Sequence, residues 1–152
     1  MNVLKDVLIS KGEIDKYFEG KTPVNLWRAM NQRKNHHPFE FIEKPFKLSS
    51  GRPRPADIKI EKVGQEDWVR IKKRPRGIST FDKPGLPKGK DWEYYKIPAG
   101  TDLPYGLAIV KDEYNQQFDA THYTIAPAFD MPLSRFKMLL NQLAQELIKE
   151  AV

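Results

Sequence analysis

Apolar residues recur at helical spacing at the two ends of the chain, and between them the pattern shortens to alternation. Val3, Leu4, Val7 and Leu8 follow one another at the three- and four-residue intervals that place side chains on one face of an α-helix. The pattern predicts a first amphipathic helix ending near Gly12, with Ile14, Tyr17 and Phe18 making a second short turn. At the other end Leu133, Phe136, Leu140, Leu143 and Leu147 repeat the same spacing, with Pro132 at the first turn and Asp130 as the candidate cap. Such a stripe is built for a core.

In the middle, Pro23 restarts the chain and a short strand is predicted from Val24 to Met30, followed by the polar segment Asn31 to His37. Pro38, Pro45, Pro53 and Pro55, with Ser49-Ser50-Gly51 between them, are incompatible with a long helix or a central strand, so 38–55 reads as an ordered irregular loop. Ile58 and Ile60 alternate with charged residues, as does Trp68-Val69-Arg70-Ile71-Lys72, which predicts a half-exposed hairpin turning at Gly64. Further strands are expected at Ser79-Thr80, Trp92 to Ile97, Leu107 to Val110 and Ala120 to Ala126, separated by a Pro/Gly/Lys-rich loop from Lys83 to Lys90 and by the Pro98 and Pro104 turns. Short strands bracketed by helices predict an α+β fold. At 152 residues the chain reads as one domain, with 1–22 a helical N-terminal addition and 23–152 the body.

Composition changes this picture in two ways. There is no cysteine, so disulfides and thiolate metal sites are excluded and stability rests on packing, as suits a reducing compartment. Lys5-Asp6 interrupts the opening apolar pattern and no small-residue cleavage site follows, so no cleavable secretory leader is expected. No apolar run approaches the roughly 20 residues that span a bilayer, and the expected place of action is the cytosol. The net charge of +6 is unevenly spread: the first 76 residues carry 18 Lys/Arg against 10 Asp/Glu, the remainder 8 against 10. The basic half suits phosphates, a nucleic acid or an acidic protein partner.

Several chemistries lack their residues. The histidines are His36, His37 and His122, the first two adjacent and without a carboxylate cluster, so no metal site is expected. Neither glycine-rich phosphate motif occurs, and Ser79 has no GxSxG elbow. The cluster Arg70-Lys72-Lys73-Arg74-Arg76, with Trp68 and Trp92 near it in sequence, suits nucleic-acid phosphates and bases; an edge strand protected by its charges is the plainer reading.

The run Arg76-Gly77-Ile78-Ser79-Thr80-Phe81-Asp82 puts two adjacent hydroxyls on extended backbone, where they can bond a ligand without moving. With it stand Leu26-Trp27-Arg28-Ala29, Pro55-Ala56-Asp57-Ile58, Ile97-Pro98-Ala99-Gly100-Thr101-Asp102-Leu103-Pro104 and Ala120-Thr121-His122-Tyr123-Thr124-Ile125-Ala126-Pro127-Ala128. In order and spacing, from about Leu26 to the final helix, these blocks resemble the type VI secretion toxin family with an ADP-ribosyltransferase-like fold. Trp27 stands where the family has Tyr, and Ile78 where it has Thr.

The resemblance implies a fold of two packed, mostly antiparallel small sheets. It also implies a bacterial toxin that acts in the target cytosol, uses NAD as substrate, is exported by a secretion-apparatus carrier and is neutralised by a cognate immunity protein, expected to be acidic. Arg28 matches the NAD-anchoring position and Ser79 with Thr80 the pocket strand; Trp27 and Tyr123 join Arg28 as NAD-binding candidates, and His122 joins Ser79 and Thr80 as a catalytic one. The late carboxylate that grips the nicotinamide ribose has no match in Tyr123-Thr124-Ile125, which leaves Asp112, Glu113 or Asp119 as substitutes. A basic ribonuclease-like or nucleic-acid-binding toxin using His36, His37 or His122 is the alternative, and an interaction protein with a basic docking face is a third reading.

Overall fold

Alternating apolar positions assemble most of the chain around one antiparallel sheet. The computed structural model describes residues 2–150. Helix α1 (Leu4–Ser10) and a 3-10 turn (Ile14–Lys16) precede strands β1 (Tyr17–Phe18) and β2 (Leu26–Asn31). The proline-rich segment 38–55 is largely irregular but carries a two-residue ribbon, β3 (Phe46–Lys47) with β4 (Pro53–Arg54). Next come β5 (Lys59–Val63), β6 (Glu66–Arg70), β7 (Ile78–Phe81), β8 (Trp92–Ile97), β9 (Leu107–Asn115) and β10 (Ala120–Pro127). The chain ends with β11 (Met131–Pro132), helix α2 (Leu133–Ala144) and β12 (Ile148–Glu150).

The architecture is α+β with antiparallel pairing throughout the described strands. The expected two small sheets are instead unequal: seven strands in the order β1-β9-β10-β7-β2-β8-β12, and three in the order β11-β6-β5. Two segments outside the expected strands enlarge the main sheet, β1 at one edge and β12 at the other.

One face of the large sheet carries Leu26, Ile78, Ile97, Ile109 and Ile125, packed with Phe39, Phe136, Leu140 and Leu143 in the main core. On the opposite face Leu4 and Leu8 of α1 pack on Ala108, Val110, Ala126 and Ala128. The small side chains of the sheet let the helix approach, and the backbone N–H of Leu4 donates to the carbonyl of Ala128 at 2.8 Å. The N-terminal segment thus supplies both a covering helix and an edge strand.

Three expectations change. Asp130 does not cap α2, whose N-cap is Pro132 without a side-chain bond. The Asp130 carboxylate is buried and turned inward, where it accepts the backbone N–H of Ile71 at 2.7 Å and of Asn2 at 3.0 Å. Helix α2 ends at Ala144, so Leu147 continues the apolar stripe beyond the helix. Strand β9 runs nine residues rather than four, because only Leu107 to Val110 is buried and its second half projects as an exposed hairpin arm.

Candidate active site

The large sheet is nearly split in two. β2 pairs with β8 along all six of its residues and β7 with β10 along four, but β2 meets β7 at the single pair Trp27 and Phe81. The strands part on either side of that pair, and a cleft of about 670 Å³ opens with Trp27, Arg28, Ser79 and Phe81 along it and Glu40 and Phe41 from the proline-rich segment. That volume lies inside the roughly 300–1,000 Å³ range of small-molecule sites.

Arg28 stands at the parting. Its Nε donates to the carbonyl of Pro38 at 2.8 Å, one terminal nitrogen to the carbonyl of Ser79 at 2.9 Å and the other to the carbonyl of Glu40 at 2.9 Å. Three of the five guanidinium N–H groups therefore tie the irregular segment and β7 to β2. Burial pulls the Arg28 pKa down to about 10, which leaves it charged at neutral pH.

On the sheet face turned toward α1, Ser79 begins a line of hydrogen bonds. Its Oγ bonds Nε2 of His122, whose Nδ1 lies 2.7 Å from Oδ2 of Asp112; the Thr124 hydroxyl donates to the same Oδ2. Backbone geometry builds this line. Antiparallel partners project to the same face, and register pairs Ser79 with Thr124 and Phe81 with His122. Between Thr121 and Tyr123 the β9–β10 register shifts, so that Asp112 and Glu113 together oppose His122. A bulge of this kind re-aims a side chain, and here it brings the Asp112 carboxylate onto the imidazole.

The network assigns the tautomer. A carboxylate only accepts, so the proton of a neutral imidazole sits on Nδ1 and Nε2 is free to accept the Ser79 hydroxyl. Phe81 packs edge-on to the imidazole at 5.4 Å between centroids and limits its rotation. The arrangement is that of a general base held by a carboxylate and aimed at a hydroxyl.

The other sequence candidates lie apart from this line. The Thr80 side chain points to the opposite face, is buried and donates to the Tyr123 carbonyl at 2.9 Å. Tyr123 is a core residue. Trp27 lies along the cleft, with its Nε1 bonded to Glu150 at 2.9 Å and Lys96 stacked 5.6 Å from the ring centre. His36 and His37 sit in the 35–40 turn, where the His36 backbone N–H donates to Glu40 and His37 Nδ1 accepts from Phe39 N–H.

The basic cluster is dispersed. Arg70 lies 3.2 Å from Glu61 and 3.7 Å from Asp130, and Arg76 donates to the Ala56 carbonyl, while Lys72, Lys73 and Arg74 are exposed. Among the three substitute carboxylates, Asp112 alone touches His122; Asp119 binds Lys83 and Tyr114 at the tip of the β9–β10 hairpin. Extending β9 through its exposed half and counting back from the turn would have set Glu113 opposite His122; the register shift, which no local pattern records, is what substitutes Asp112.

Comparison with known proteins gives the family. The family model for the Tse2 ADP-ribosyltransferase toxin matches residues 7–152, and so includes most of the N-terminal segment that the motif blocks left without a counterpart. The Toxin Tse2 of Pseudomonas aeruginosa (strain PAO1) is 43% identical over 67 residues, which is 44% of this chain and 40% of that protein, so the alignment spans about two-fifths of the curated relative. With a family match that covers nearly its whole length, the chain belongs to the Tse2 ADP-ribosyltransferase toxin family.

Proposed function

We propose that this protein is a cytosol-acting toxin that binds NAD in the cleft between β2 and β7 and releases nicotinamide there, passing ADP-ribose to an acceptor. The family membership supports the class of reaction, and the line that runs from Ser79 on the cleft wall back to His122 and Asp112 is the observation that carries the assignment. When bound, NAD supplies a glycosidic carbon that becomes electrophilic as nicotinamide departs. Asp112 lies behind His122 in the neighbouring hollow rather than in the cleft, so its negative charge acts on the reaction through the imidazole it holds.

His122 Nε2 is placed to take a proton, through the Ser79 hydroxyl that already bonds it. In this reading Arg28 frames the cleft. Its three carbonyl bonds hold the wall and leave one N–H on each terminal nitrogen to meet the ligand phosphates. Trp27 offers a ring face beside Ser79.

An immunity protein that covers the basic half and closes the cleft, and a secretion-apparatus carrier, belong to the same proposal. Among the described residues no helix is long and apolar enough to cross a membrane. Expression in a susceptible bacterium provides the test. The wild-type chain should arrest growth while cellular NAD falls, and Ser79→Ala and His122→Ala should abolish both at equal protein level. Arrest with NAD unchanged would refute the reading.

A further inference from the structure

A second hollow, of about 690 Å³, lies on the other side of the same partition. Phe81 lines both cavities; Ser79 belongs to the first, and His122, Asp112 and Thr124 belong to the second. The hydrogen bond from Ser79 to His122 therefore crosses from one hollow to the other. Two separate segments carry cations into the second hollow: Lys73 and Arg74 from the loop after β6, and Lys111 from β9. Among the described residues none of these three lies within 4.0 Å of a carboxylate.

The wall is tied in place. The ammonium of Lys11, at the end of α1, donates to the Lys73 carbonyl at 2.9 Å and also pairs with Glu13 at 3.1 Å, where Lys16 joins it at 2.8 Å. Glu13 is thus matched, and Asp112 is taken up by His122 and Thr124, which leaves Glu113 as the hollow's one acid without such a partner. Positive charge prevails. Two aromatic rings line the same space, Phe81 and the exposed Tyr114.

We infer that this second hollow is the acceptor site, and that the acceptor is a single-stranded RNA-like polyanion whose phosphates meet Lys73, Arg74 and Lys111 while a base stacks on Tyr114 or Phe81. Unpaired cations beside ring faces form the combination that single-stranded nucleic acid requires, whereas an acidic peptide has no use for the rings. The inference rests on the NAD reading of the first cleft for the transfer itself. In that step the bond between nicotinamide nitrogen and ribose carbon breaks with its electron pair leaving on nicotinamide. An acceptor hydroxyl oxygen bonds to that carbon, and its proton passes through the Ser79 hydroxyl, which spans the two hollows, to His122 Nε2.

Binding can be measured without NAD, so a failure of the NAD reading leaves this test intact. The probe is a fluorescently labelled single-stranded RNA of about eight nucleotides, within the span of one small binding groove. Its anisotropy is followed across salt concentrations. The wild-type chain should bind at low salt and lose affinity steeply as salt rises. Joint Lys73→Glu, Arg74→Glu and Lys111→Glu substitution should weaken binding by about tenfold or more, against a control with reversals at Lys44, Lys59 and Lys88. Tyr114→Ala should weaken it further at constant salt slope, which a bulk charge effect would not produce. No binding at low salt, equal loss in the control, or displacement by an acidic peptide as readily as by unlabelled RNA would overturn the inference.

Discussion

At the scale of single residues the candidates divide by what they touch. Ser79 and His122 share a hydrogen bond across a partition between two hollows, and Asp112 fixes which imidazole nitrogen is free. Asp112→Asn keeps the shape but offers Nδ1 an amide in place of a charge, so NAD turnover should fall roughly 10²- to 10⁴-fold, read as nicotinamide release at unchanged melting temperature. Arg28 is different in kind: its guanidinium reaches three carbonyls, and an ammonium cannot. Arg28→Lys should cost about 2–4 kcal/mol, seen as a melting temperature lower by several degrees together with lost turnover. From the sequence Ser79, His122 and Arg28 could be picked out as polar residues on strand-like segments, but which hydroxyl faces the cleft could not. Thr80 and Ser79 look alike in a string, and only the register places one in the core and the other on the imidazole.

At the scale of elements, the site depends on how closely β7 lies against β10. Gly77 stands just before β7, and a Cβ there would overlap the carbonyl oxygen of Ile125 in β10. Gly77→Ala should force the strands apart, cost about 3 kcal/mol or more, and separate Ser79 from His122; thermal melting and nicotinamide release should fall together. Asp130 joins three elements in the same way. Its buried carboxylate holds the backbone after β6 and the chain before α1, so Asp130→Ala should destabilise by about 3 kcal/mol without touching the cleft. Alternation and helical spacing made β2, β5, β6, β8, β10 and both helices legible. The extent of β9 was not, because its outer half carries Lys111, Asp112 and Glu113 and reads as a loop when burial on one face is the only signal. Asp130 looked like a cap because capping residues and inward-turned carboxylates share one letter.

For the whole molecule, the motif blocks and the family model point to the same family, while the sheet order that creates the cleft was beyond the sequence. That β2 lies between β7 and β8, with one pair joining it to β7, follows from long-range pairing that no local pattern records. A global consequence concerns alkaline pH. Burial raises the phenol pKa values of Tyr17, Tyr94, Tyr95 and Tyr123, that of Tyr95 to about 12 with help from Glu93, and a hydrogen bond to Asp119 raises that of Tyr114. The folded state then holds protons that the unfolded state releases near pH 10. The stability from these groups is complete below pH 10 and declines as pH rises toward 12, so tyrosinate absorbance and loss of folded signal should appear together in an alkaline titration. The central claim, that one hydrogen-bonded line on a split sheet handles NAD, is tested most directly by nicotinamide release from NAD by the purified chain. The account predicts steady release by the wild type and near-complete loss in folded Ser79→Ala and His122→Ala; equal release by the wild type and both variants would contradict it.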